Sequence, residues 1–350
     1  MSTIESHTVQ ANAIASPNTK IVEAYGNRKC AKLVEQVFAL DIDVRVNALG
    51  VVCDEFSNPF SIQGCMQCGL ARILAKMVSD PDFLTRERAS RALAMAAQDA
   101  NGISSILEQP PILVEILNGI KDPSDAVRGN VYDCLYSISQ TQAGKEASVI
   151  AGIVFNFVDA LSRDENSLKI KILRSLYNIV GAPQGLEEAL SAGAIRVCID
   201  LLRSKDQSLA AEAARTLGIL CFDEQGKTSA LDGGAIPILA SLLVPQNSQP
   251  TKIHATLALM AITSTVTGRI QMHSPETVGA LSALMKEDDR ALRLNVLKVI
   301  SNIAQYPPIR RLLLEDAVLV KLIEQSAKNV EDKLLNKHGI VALNAINWKP

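Results

Sequence analysis

The stretch "LRSLYNIV" (173–180) decides how this chain is read, because the sequence writes it repeatedly. "VYDCLYSI" (131–138) comes one interval earlier, "ARTLGILC" (214–221) one interval later and "LKVISNIA" (297–304) further on. Aligning the motif gives eight copies: "NALGVV" (47–52), "RALAMA" (91–96), "DCLYSI" (133–138), "RSLYNI" (174–179), "RTLGIL" (215–220), "LALMAI" (257–262), "KVISNI" (298–303) and "VALNAI" (341–346). Their central apolar residues are Leu49, Leu93, Leu135, Leu176, Leu217, Leu259, Ile300 and Leu343, separated by steps of 44, 42, 41, 41, 42, 41 and 43 residues. So regular a series marks stacked structural units, each able to bury its apolar face only against its neighbours.

A period of 41–44 residues excludes tetratricopeptide and ankyrin arrays, which repeat at about 33–34, and selects the armadillo and HEAT class at about 40–47. Each unit has one grammar. A glycine turn opens a first helix, as in "AGAIRVCIDLL" (192–202) and "GGAIPILASLL" (233–243). A polar break follows, as in "SDPDF" (79–83), "KDPSD" (121–125), "SKDQS" (204–208) and "KEDDR" (286–290). Its Asp and Ser residues suit the cap of a second helix, which carries the anchor. "DPSDAVRGNV" (122–131) has HEAT character and "GAIPILASLL" (234–243) armadillo character. The predicted fold is an all-α, armadillo/HEAT-type, right-handed superhelical solenoid of about eight repeats. Residues 21–350 are expected to form this single solenoid, behind a disordered or draped tail over 1–20 that lacks periodicity. The less apolar "EQSAKNVEDKLLNKHG" (324–339) suits a terminal capping repeat.

Composition agrees. The 350 residues are 48% hydrophobic but only 4% aromatic, which favours packed helices of Leu, Ile, Val and Ala. Thirty-five basic residues against 37 acidic give a net charge of −2, with no basic excess to draw nucleic acid. No run of 18 apolar residues suggests a membrane span. The N-terminal "MSTIESHTVQANAIASPNTK" has no apolar signal region, and the seven scattered cysteines read as small core residues, so an intracellular, reducing compartment is expected.

Chemistry is sparse. The four histidines, His7, His254, His273 and His338, have no metal-ligand spacing, and no phosphate loop, nucleophile elbow or HExxH motif occurs. "CMQC" (65–68) is the one sharp pattern, but zinc would need two further ligands and a dithiol site a βαβ context. Cys65 and Cys68 therefore read as packing. Neither cofactor, metal nor enzymatic activity is expected. Trp348, the only tryptophan, reads as a cap on the last apolar layer in preference to a partner anchor.

Solenoids of this class line their concave surface with the anchor-bearing helix. Residues two before and two after the anchor lie four apart and share one helix face. The earlier slot reads Asn47, Arg91, Asp133, Arg174, Arg215, Leu257, Lys298 and Val341; the later slot includes Asn178 and Asn302. Arg91, Arg174, Asn178, Arg215, Lys298 and Asn302 are thus the candidate partner-binding residues. Nuclear-import adaptors of the armadillo family place a Trp-xxx-Asn ladder in these slots to hold basic peptides. Here basic residues replace the tryptophans, which favours an acidic or phosphorylated segment.

Three further segments carry a narrower resemblance. "SPNTKIVEAYGNRKCAKL" (16–33), with Thr19, Lys20, Ala24, Tyr25, Gly26, Arg28 and Leu33, resembles the opening of the radial spoke head fourteen homologue family. "GKTSALDGGAIPILASLL" (226–243) is similar to an inter-repeat turn of that family, and "AINWKP" (345–350) to its ending. The resemblance implies a non-enzymatic scaffold of the ciliary or flagellar axoneme, in the cytoplasm and cytoskeleton, with other radial spoke proteins as partners. The alternative expectation is a soluble armadillo adaptor that takes acidic linear peptides in its groove.

Overall fold

The computed structural model describes residues 28–349, so the tail expected over 1–20 lies outside the described residues. The described chain is helical and falls into repeats of three helices, where the sequence pattern suggested two. The first repeat shows α1 (Lys29–Val37) and α2 (Ile42–Glu55); the second, α3 (Pro59–Gln67), α4 (Leu70–Met77) and α5 (Phe83–Ala96). The third holds α6 (Ala100–Leu107), α7 (Pro110–Leu117) and α8 (Asp125–Ser139), and the fourth α9 (Gln142–Ile150), α10 (Ile153–Arg163) and α11 (Asn166–Ile179). Then come α12 (Pro183–Ser191), α13 (Ala194–Leu201) and α14 (Gln207–Leu220), followed by α15 (Glu224–Asp232), α16 (Ala235–Ser241) and α17 (Gln249–Ile262). The last two triplets are α18 (Val266–Gln271), α19 (Pro275–Met285) and α20 (Arg290–Ile303), and α21 (Pro307–Glu315), α22 (Ala317–Ala327) and α23 (Lys333–Asn347).

The extra element is the short first helix of each triplet. The text read as the polar end of the preceding helix, "DEQGK" (223–227) or "QYPP" (305–308), in fact opens it. Its clearest mark is a glycine at 102, 144, 185, 226 and 268. At each of these a side chain would strike the C-terminal turn of the third helix before it: a Cβ on Gly226 would lie 2.0 Å from the Leu220 carbonyl oxygen, and one on Gly144 1.9 Å from that of Ile138. The glycine turns expected ahead of "AIRVCIDLL" and "AIPILASLL" are present. Gly193 and Gly234 have φ of +79° and +71°, in the left-handed region, and start the second helices.

Third helices begin at 42, 83, 125, 166, 207, 249, 290 and 333, in steps of 41, 42, 41, 41, 42, 41 and 43. Asp41, Asp82, Asp206, Ser248, Asp289 and Asp332 cap their first turns through side-chain bonds to backbone amides. This even spacing corrects the first repeat. The counterpart of Leu93 is Val52, not Leu49, so the slot assigned to Asn47 belongs to Gly50 and Asn47 lies three residues earlier in the helix. The anchors Leu93, Leu135, Leu176, Leu217, Leu259 and Ile300 are buried, as is Val52, while Leu343 in the last helix is half-buried.

The chain divides into two compact units, one ending at Ser137 and one beginning at Ile138, inside α8. In the first, α5 packs on α2; in the second, α11, α14, α17, α20 and α23 pack in succession. Two ladders of polar contacts join neighbouring repeats within each unit. The fourth residue of a third helix reaches forward to the turn ahead of the next: Arg45 to Asp80 (3.4 Å), Arg86 to Asp122 (2.6 Å) and Lys252 to Glu287 (2.7 Å). The sixth residue reaches back to the carbonyl of the fifth residue of the preceding one. Arg88 donates to Val46 (2.6 Å), Asn130 to Glu87 (3.3 Å), His254 to Ala211 (3.0 Å) and Asn295 to Ile253 (3.2 Å).

Candidate functional site

The six predicted partner-binding residues all lie on third helices, but the structure gives them different company. Arg91, on α5 of the first unit, is exposed, with no ion-pair partner among the described residues. The other five belong to the second unit. Arg174 on α11 and Arg215 on α14 converge on one carboxylate: Arg174 Nε donates to Glu212 Oε1 at 2.9 Å, and Arg215 Nη1 to Glu212 Oε2 at 3.4 Å. The Arg215 guanidinium carbon also lies over the Tyr177 ring, 3.9 Å from its centre. Lys298 is half-buried on α20, two repeats along, with Leu257 in the slot between. The structure therefore gathers Arg174 and Arg215 into one cluster and leaves Lys298 apart.

The two asparagines are committed to neighbouring repeats. Asn178 Nδ2 donates to Ser139 Oγ (3.1 Å), and Asn302 Nδ2 to the Met260 carbonyl (3.0 Å) and Thr263 Oγ1 (3.2 Å). Their amide protons hold one third helix to the one before.

The arginine cluster is electrostatically unbalanced. Glu212 is almost buried, whereas the Arg174 and Arg215 side chains are 49% and 33% exposed. Two guanidiniums share one carboxylate, so one positive charge is left over and the outer edges of both forks face solvent. Exposed pairs of this kind contribute only about 0–1 kcal/mol each, weak enough for an incoming anion to compete. Beneath them His254 donates through Nδ1 to Ala211. Burial holds its pKa below the ordinary value; the Ala211 bond and Glu212 pull the other way, and Arg215 adds to the lowering.

Sequence reasoning missed Glu212, Tyr177 and the ladder to which His254 belongs. The signal was present: a polar residue recurs three positions before the slot, as Arg88, Asn130, Lys171, Glu212, His254, Asn295 and His338. No local cluster marks these residues, which recur only at the repeat period, one helical turn before the slot.

The "CMQC" pair splits across the end of α3. Cys65 is buried and Cys68 exposed, with Cys30 nearby on α1; burial pushes the Cys65 thiol up, and its hydrogen bond with Cys30 pushes the same way. Burial also raises Cys53 to about 11 and Cys134, Cys198 and Cys221 to about 12, as befits core thiols. No set of three His, Cys, Asp or Glu side chains among the described residues is placed to hold a metal, and none of the described helices is long and apolar enough to cross a membrane. Trp348 does not seal the last layer. It is 57% exposed, with the Arg310 guanidinium 5.0 Å from its ring centre, and both line a recess of about 390 Å³ with Gln305, Asn344 and Ala345.

Known proteins give the same picture of the repeat. Residues 183–222, the triplet α12–α14, match the Armadillo/beta-catenin-like repeat. An engineered protein superposes with a TM-score of 0.80 at 21% identity, over 92% of this chain and 79% of its own. The fold is an armadillo-type solenoid. A chain from a structure concerned with the phosphorylation switch that controls the interaction between cadherin and beta-catenin superposes with a TM-score of 0.76 at 14% identity, over 91% of this chain and 60% of its own. A designed armadillo repeat protein in complex with the peptide (KR)4 gives 0.59 at 18% identity, over 67% and 99%. The architecture is one suited to protein–protein interaction.

Proposed function

We propose that this chain is a non-enzymatic scaffold subunit of the axonemal radial spoke, holding other spoke proteins along its repeats and contributing to the regulation of ciliary and flagellar motility. The observation that carries the proposal is the pair of terminal segments, "SPNTKIVEAYGNRKCAKL" (16–33) and "AINWKP" (345–350), which resemble the same spoke family from opposite ends of an armadillo-type array. A mechanical role is supported by the inter-repeat ladders. They tie α2 to α5, α5 to α8 and α17 to α20 at both the first and the second turn, which resists sliding between those repeats. The test is localisation of the tagged chain in demembranated cilia, followed by salt extraction. Retention in the axoneme and release together with spoke subunits supports the reading; a pool with no axonemal fraction refutes it.

One observation favours a second reading, the adaptor for acidic or phosphorylated linear peptides. Arg174 and Arg215 hold a surplus positive charge on one carboxylate, with their outer edges in solvent. The designed relative carries a basic peptide; the basic slots here suit the opposite charge. Fluorescence anisotropy with acidic and phosphorylated peptides tests this. Binding that weakens with salt and is lost in Arg174→Glu/Arg215→Glu supports it, and equal binding by that variant refutes it.

A further inference from the structure

The repeat register exposes two faces that every inner repeat buries. In the first unit, α2 shows an open stripe of Asp43, Asn47, Val51 and Asp54, spaced four, four and three apart. Val51 is 37% exposed, while its counterparts Ala92, Cys134, Ser175, Thr216, Ala258 and Val299, the tenth residues of the other third helices down to α20, are all fully buried. Asn47 occupies the register of Arg88, Asn130, His254 and Asn295, each of which donates to the carbonyl of a preceding repeat. Alone among these five, the Asn47 side chain is exposed and makes no hydrogen bond among the described residues.

The second unit ends on the complementary face. Ile340 on α23 is 43% exposed, while its counterparts Leu49, Ser90, Tyr132, Leu173, Ala214, Thr256 and Leu297, the eighth residues of the other third helices, are all fully buried. Lys337 and Asn344, also exposed, occupy the registers of Ala211 and Met260, whose carbonyls accept side-chain bonds from the next repeat. From Lys333 to the C-terminus there is no acidic residue, and Lys333, Lys337 and Lys349 have no ion-pair partner among the described residues. The open face of α2 carries the opposite charge through Asp43 and Asp54, which likewise lack ion-pair partners.

We infer that copies of this chain stack head to tail, the open face of α2 in one copy seating on the open face of α23 in another as though it were the next repeat. The inter-repeat register then places the Asn47 amide on the Lys337 carbonyl. Asp54 falls beside Asn344, as Asn302 does beside Met260. Val51, a tenth residue, meets Ile340, an eighth, as Thr216 meets Leu173, with Asp43 and Asp54 set against the lysines. The contact is heterologous, so each addition leaves one α2 face and one α23 face for the next copy, and assembly runs on until those ends meet in a ring or the supply of chains is exhausted. This rests on the repeat register and is independent of the spoke reading.

Sedimentation velocity of the full chain over a concentration series tests it. Wild type is expected to grow past dimer as concentration rises. Ile340→Glu on α23, and Asn47→Glu/Val51→Glu on α2, each place a charge in the apolar centre of one face. Both sites are solvent-exposed in the single chain, so each variant keeps the wild-type helical spectrum and runs as a monomer. A 1:1 mixture of the two retains one intact face of each kind and is expected to form a dimer and nothing larger. A wild type that stays monomeric throughout, whatever other protein occupies these faces, overturns the inference. So does continued assembly of either variant alone, or a mixture that remains monomeric.

Discussion

Gly226→Ala is the sharpest test of how the repeats are joined. Gly226 is the third residue of α15, where the short first helix crosses the end of α14. An added Cβ would lie 2.0 Å from the Leu220 carbonyl oxygen, 2.9 Å from its carbon and 3.4 Å from Cys221 Cα. All three are backbone or bound to it, so no side chain can swing aside; α15 must shift by about an ångström or the last turn of α14 must open. Overpacking of this kind costs about 1–3 kcal/mol, against which alanine returns up to about 1 kcal/mol of helix propensity. The net expectation is a loss of about 1–2 kcal/mol. Gly279→Ala in α19 is the control: nothing lies within 4 Å of its Cβ position, so propensity acts alone and the variant gains about 0.5–1 kcal/mol. Urea melts followed by far-ultraviolet circular dichroism, with hydrogen exchange to show which repeats open, separate the two. Equal midpoints, or a Gly226→Ala chain as stable as Gly279→Ala, refute the crossing geometry.

Glu212→Gln removes the shared negative charge while keeping the shape; acidic-peptide affinity should rise about two- to fivefold, matching the weak competition of an exposed pair, and unchanged anisotropy titrations would separate the arginines from binding. His254 has a lowered pKa, so its contribution is fully present above the ordinary value near 6.5 and is lost as pH falls through the folded-state value. His254→Asn, which places at this register the residue that Asn130 and Asn295 already supply, should keep the bond to Ala211 and flatten the decline of melting temperature below about pH 6.5. Glu287→Ala leaves Lys252, 5% exposed, without its carboxylate and should cost about 3–5 kcal/mol, whereas Lys252→Met/Glu287→Gln should be close to neutral; chemical denaturation of both distinguishes a broken buried pair from a merely absent one.

The solenoid was legible because its period is set by packing. Leu93, Leu135, Leu176, Leu217, Leu259 and Ile300 must each face the neighbouring repeat, and the buried face admits little else. The short first helix was not legible from hydrophobicity: α15 buries only Gly226 and Ala230, too few apolar positions to show a helical stripe. Its signal is steric, a glycine every 41–42 residues where two backbones cross. The first-repeat anchor slipped by three residues because Leu49 and Val52 are both buried on α2, and a leucine aligns better with leucines than the residue in true register. The positions of the six candidate residues were readable, since helix periodicity fixes which face they share. Their partners were not. Nothing local to Arg174 announces Glu212, which is 38 residues away and meets it only through the stack.

The two ladders decide which part of the third-helix face is left for a partner. Fourth-residue cations bind the turn ahead and sixth-residue donors bind the helix behind, so the N-terminal half of the face is consumed in joining repeats. In the second unit the thirteenth residues Asn178 and Asn302 are consumed likewise. What remains is the ninth residue of each helix, where side chains project between the two bonded layers, and that is the slot holding Arg91, Arg174, Arg215 and Lys298. An asparagine that must hold its neighbour cannot also release it for a peptide without opening the repeat. A partner taken on this face, as the second reading proposes, would be recognised by charge and by the Tyr177 ring, not by an amide ladder. A basic peptide of the kind held by the designed relative would meet cations at these positions and find its amide donors already engaged.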